Sequence, residues 1–150
     1  VELFGKSQVF KHREMHPRYE IGLEQYALTI GVEARLTLEL GQTSILPAAI
    51  RYQTELAQNV AALKAAGVDA DLSALETVSA PLTNLRTALA ELKSALAAQG
   101  ESEALAEATH AKDALLPAMA AVRSAADSLE DIVADDLWPL PTYQEMLYVL

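Results

Sequence analysis

The sequence predicts an all-α fold, a helical bundle built on a long antiparallel helix hairpin and finished by a short C-terminal helix. Three observations predict it. Alanine and leucine supply 28 and 24 of the 150 residues, against 6 Gly and 6 Pro, and both are strong helix formers. Two Phe, five Tyr and one Trp are a thin supply for packed strands. Apolar residues recur three and four apart, which is the period of a helix face and not of a strand. With 51% hydrophobic and 21% charged residues, the chain has material for a core, and residues 1–150 are expected to form one helical domain.

Residues 12–66 read as helix with interruptions expected at Gly31 and Gly41, and Ala65-Ala66-Gly67 ends it. Ile21, Tyr26, Leu28, Leu36, Leu40, Leu46, Ile50, Ala57, Val60 and Leu63 are assigned to its core side. The clearest local pattern follows: Leu75, Val78, Leu82, Leu85, Leu89, Leu92 and Leu96 form one stripe. Asp71 or Ser73 caps its start, with Glu76 three residues after Ser73, and Gly100 follows its end. Pro81 removes a backbone donor and restricts its predecessor, so a kink or short break is expected near Ser79.

A second stripe runs through Leu105, Ala108, Lys112, Leu115, Met119, Val122, Ala126, Leu129 and Val133, with Lys112 its polar intruder. Joined at Gly100, the two helices make the hairpin, each arm about 40 Å long at 1.5 Å per residue. Glu101, Glu103 and Glu107 fall in the opening turns of the second arm, where the helix dipole favours negative charge. Pro47 and Pro117 sit in matched contexts, Ile45-Leu46-Pro47-Ala48 and Leu115-Leu116-Pro117-Ala118, and each should bend its helix. Beyond Asp135-Asp136, Trp138-Pro139-Leu140-Pro141 must be extended, and Thr142 with Glu145 can cap a last short helix. This tail is read as a docked strap. Phe4, Phe10, Tyr19, Tyr26 and Tyr52 lie early and Trp138, Tyr143 and Tyr148 late, with no ring between, so the two ends are expected to pack together.

The formal charge of −10 disfavours nucleic acid and anionic lipid. Without cysteine there is no disulfide, thiolate zinc site or Cys nucleophile. No segment reads as a membrane span or signal peptide, and a start at Val1 is expected of a piece cut from a longer protein. His12, His16 and Glu20, four apart, would align three metal-ligand types on one helix face, but Pro17 is expected to move His16 off helical geometry, so capping or solvated roles are preferred and no metal site is assigned. His110 stands alone on an acidic helix and is assigned to the surface. Acidic neighbours such as Glu20 with Glu24, and Asp127 with Glu130 and Asp131, suit solvated faces better than acid–base work. No phosphate loop, Gly-x-Ser-x-Gly or His-Glu-x-x-His is present, so no catalytic or cofactor-binding residue is assigned.

Residues 13–26 mix charge and rings at helical spacing. Arg and Tyr tend to carry binding energy at interfaces, so this stretch reads as a docking helix. Arg13, Arg18, Tyr19, Tyr26 and, from the tail, Trp138 are the residues expected to hold the bundle together or to seat it on another domain.

Arg13-Glu14, Arg18-Tyr19-Glu20-Ile21, Leu23-Glu24-x-Tyr26, Ile45-Leu46-Pro47-Ala48, Leu116-Pro117-Ala118-Met119 and Trp138-Pro139-x-Pro141-Thr142-Tyr143 together resemble, in order and spacing, the C-terminal region of type III glutamine synthetases. That resemblance implies a parent enzyme of glutamine biosynthesis, a ligase joining glutamate and ammonium with ATP and magnesium or manganese. It further implies a ring-stacked homo-oligomer in the cytoplasm, with the catalytic domain of the same chain as this segment's partner. The family's nucleotide, metal and glutamate groups have no counterpart position here, so the segment is expected to be a helical appendage, inactive alone. The rival readings are an independent partner-binding or sensory bundle and a small amphipathic coating protein.

Overall fold

In the computed structural model, which describes residues 11–98, 103–141 and 143–147, helix α1 (His12–Leu40) runs unbroken through Pro17, Gly22 and Gly31. The expected interruption at Gly31 and the expected displacement of His16 by Pro17 are both corrected. Pro17 lies near the start of the helix, where the carbonyl it leaves without a donor belongs to the exposed Arg13 and water can serve it. The start itself is fixed by Glu14, whose Oε2 accepts the backbone N–H of Lys11 at 2.9 Å.

Gly41–Ile45 is a π turn, and helix α2 (Leu46–Ala65) continues from it. The same arrangement recurs where helix α4 (Ala104–His110) passes through a π turn, Ala111–Leu115, into helix α5 (Leu116–Glu130). The two prolines explain both. Pro47 and Pro117 cannot donate to the carbonyls four residues back, those of Thr43 and Asp113, and their rings crowd those groups. Widening the turn relieves the crowding: Leu46 N–H reaches Gly41 O, and Leu116 N–H reaches Ala111 O. The bends expected at these prolines are therefore built as wide turns.

Gly67, with φ of +78°, closes α2 in the left-handed region where only glycine is unstrained. Helix α3 (Ser73–Ala97) follows, and it is continuous through Pro81, so no break occurs at Ser79. Ser79 instead ties two helices: its hydroxyl donates to Leu75 O at 2.6 Å and accepts from Gln53 Nε2 at 2.9 Å. Asp71, not Ser73, secures the start of α3. Its Oδ1 accepts the Ser73 N–H at 2.9 Å and its Oδ2 the Ser73 hydroxyl at 2.8 Å.

Those two bonds, the backbone one foremost, hold the Asp71 carboxyl below its ordinary value of 3.8. A carboxyl lowered on folding stabilises above its unfolded pKa, and the contribution fades as pH falls through the folded value. Asp71→Ala should thus lower the melting temperature slightly at about pH 7, with the difference from the parent vanishing near about pH 2. Paired thermal melts at the two pH values check this.

Helix α3 is the central strut, packed against α2 on one side and α5 on the other. Its expected stripe is the core seam: Val78, Leu82, Leu85, Leu89 and Leu92 are buried, with Leu96 packed against them. On the partner arm the seam is shifted. Ala111, Ala118 and Ala125 are buried where Lys112, Met119 and Ala126 were assigned, while Ala108, Leu115, Val122, Leu129 and Val133 are buried as expected. Alanine at alternate layers lets the helix axes approach closely, and the larger Met119 packs at the flank.

Beyond α5, Val133 is buried and a 3₁₀ turn (Asp135–Leu137) contacts α2. Trp138 is extended, with φ −72° and ψ 123°, and it packs with Leu137, Leu140 and Tyr52 against the core. Tyr52 from the early group and Trp138 from the late one both pack against this core, and the tail is a docked strap as read from its prolines. Helix α6 (Tyr143–Leu147) ends the described chain. Gly100, Glu101, Thr142, Phe4, Phe10 and Tyr148 lie outside the described residues. Among the described residues there is no strand, no buried polar or charged residue and no helix long and apolar enough to cross a membrane.

Candidate functional site

Helix α1 has two apolar faces. The inner one consists of Ala27, Gly31, Ala34, Leu38 and Gly41, at steps of four, three, four and three, and it is carried on by Ile45, Ala48 and Ala49. This seam of small residues was the signal missed in the sequence. Gly41 shows why it must be small: a Cβ there would lie 2.6 Å from Leu89 Cδ2. The outer face carries Ile21, Leu28, Val32 and Leu36, exposed at 61, 59, 54 and 53%. The assignment of Ile21, Tyr26, Leu28, Leu36, Leu40 and Ile50 to the core is therefore corrected, since all six are exposed. Ala57 is exposed as well, whereas Val60 and Leu63 are half-buried. The core side here is mostly small, with Ile30 and Leu38 packed at its flanks, because a close helix approach leaves little room for large side chains.

Arg13, Arg18, Tyr19 and Tyr26 are exposed on the first half of α1. Trp138 is half-buried at the junction of tail and bundle, and its buried Nε1 has no hydrogen-bond partner. The fold thus separates the five residues into an exposed group on α1 and one tail anchor.

His110 is corrected from surface to bridge. Its Nε2 lies 2.9 Å from Ala95 O, so an Nε2–H tautomer donates across the hairpin from α4 to α3. His16 Nδ1 and Glu20 Oε1 are 3.4 Å apart on an open helix face. No group of three or more His, Cys, Asp or Glu able to hold a metal occurs among the described residues.

A groove of about 600 Å³ lies open along α1 between Ile21, Gln25, Leu28 and Arg35 and reaches Leu96 and Glu107 at the hairpin. It continues the outer apolar face. Its lining offers apolar area with charged edges, which suits a docked protein surface better than an enclosed reaction.

Residues 1–64, the span of α1, its π turn and most of α2, match the family described as Glutamine synthetase C-terminal domain. The similarity to whole proteins extends further. A glutamine synthetase of Butyrivibrio fibrisolvens is 30% identical over 100% of this chain, which corresponds to 22% of that protein. The similarity to glutamine synthetases thus runs along the whole chain, and its first 64 residues are similar to the C-terminal domain of that family. A glutamine synthetase of Bacteroides fragilis is 24% identical over 94% of the chain, and a type-3 glutamine synthetase of Dictyostelium discoideum is 28% identical over 99%. The chain spans about a fifth of the length of these glutamine synthetases. The match in the Dictyostelium protein agrees with the type III resemblance carried by the proline and tryptophan motifs.

Proposed function

We propose that this chain is the C-terminal helical module of a glutamate–ammonia ligase and that it shapes or seats the enzyme without an active site of its own. The observation that carries this reading is the match of 94% or more of the chain to about a fifth of each glutamine synthetase. ATP and magnesium or manganese would bind on the rest of the protein, a cytoplasmic ring-stacked homo-oligomer. Arg13, Arg18, Tyr19 and Tyr26 would face that body, and Trp138 would hold the tail.

The purified 150-residue chain should form no glutamine from glutamate, ammonium, ATP and magnesium, while the full-length protein should form it. Glutamine formed by the short chain would overturn the proposal. A version of the enzyme lacking this module, compared with the whole for assembly size and rate, would show which of the two the module serves.

A further inference from the structure

We infer that the outer face of α1, through Ile21, Leu28, Val32 and Leu36, is the surface on which the remainder of the same polypeptide rests. This deepens the proposed function and rests on it. Helices at a protein surface have one apolar stripe, and one that is apolar on opposite sides is placed between two packed bodies. The inner side of α1 meets α4 and the rest of the bundle. The outer side stays largely open, bordered at Ile21 and Leu28 by the groove that reaches Leu96 and Glu107, and four large aliphatic side chains stand there at steps of seven, four and four, each more than half exposed. A contiguous patch of this kind marks an interaction surface.

Two observations choose the occupant. The relatives have most of their length outside the region that matches this chain, so a large body is available in the same polypeptide. Glu24, Arg35 and Glu39 are exposed beside the stripe and the chain carries −10 overall, so a second copy would bring net like charge against like. A surface with an apolar centre and charged margins that are basic in net fits instead.

The test labels single cysteines in the full-length protein with a bulky maleimide, with the rate at each site read by mass spectrometry of its peptide. Val32→Cys probes the stripe. Ala90→Cys and Ala120→Cys, exposed on α3 and α5, are controls. The inference expects Val32→Cys to react about tenfold or more slowly than both controls, and equally slowly when the assembly is diluted to single subunits. A rate equal to the controls would overturn it. So would protection that disappears on dilution, which would identify another subunit as the cover. An active enzyme with a freely labelled Val32→Cys defeats only this inference, whereas a full-length protein that forms no glutamine defeats the functional reading instead.

Discussion

Replacing Leu115 with alanine should destabilise the fold by about 3 kcal/mol and lower its melting temperature by about 10 °C. Leu115 is among the largest side chains that are completely buried, and it closes the π turn that leads into α5. Its isobutyl group packs in the cluster with Leu82, Leu85, Leu92 and Leu129. Truncation forfeits the transfer free energy of the lost carbons and leaves a void. The neighbours are poorly able to close it, because Pro117 fixes the backbone two residues on and the turn is already widened. Leu116→Ala, at a position 37% exposed, should cost about 1 kcal/mol or less. Urea unfolding followed by circular dichroism measures both, and equal losses at the two positions would contradict the assigned seam.

Gly41→Leu should be at least as damaging, about 3 kcal/mol or more. Even a lone Cβ at this position would meet Leu89 Cδ2 at 2.6 Å, and Leu89 is itself 3% exposed, with little freedom to move. A leucine adds three further carbons to that conflict. Alanine at position 41 is the informative companion, because two effects oppose each other there. Helix propensity favours alanine over glycine by about 1 kcal/mol, while overpacking costs about 1 to 3 kcal/mol. In the parent background the sum should be a net loss. In a Leu89→Ala background the conflict is gone and the same change should stabilise. The double-mutant cycle therefore changes sign, with a coupling of about 1 to 2 kcal/mol. Additive single effects would show that Gly41 does not touch Leu89.

What the sequence made legible follows from which interactions are local. The seam of α3 was readable because large aliphatic side chains mark its buried face and nothing apolar competes on the other. The twin Leu-Pro-Ala sites announced the two wide turns, since proline acts on the carbonyl four residues back whatever the tertiary context. The buried face of α1 was not readable by size, because four large aliphatic residues stand on the outer face and the seam is mainly glycine and alanine. That seam has a regular spacing of its own, and attention to small residues would have found it. His110 was misplaced because its partner, Ala95 O, lies on another helix. Pro17 was given too much weight, since a proline close to an exposed helix start costs little. The Arg and Tyr positions on α1 are exposed, whereas Ile21, Leu28 and Leu36 on the same helix were read as core because nothing local marks which apolar face is buried.

Trp138 is the single tryptophan of the sequence and stands where the strap meets the bundle. Its indole is held in an apolar setting with the ring nitrogen shielded, so its emission colour reports whether the strap is in place. Far-ultraviolet dichroism reports the long helices. Peeling of the tail and melting of the bundle are thereby two optically separate events in the same chain, without any added label.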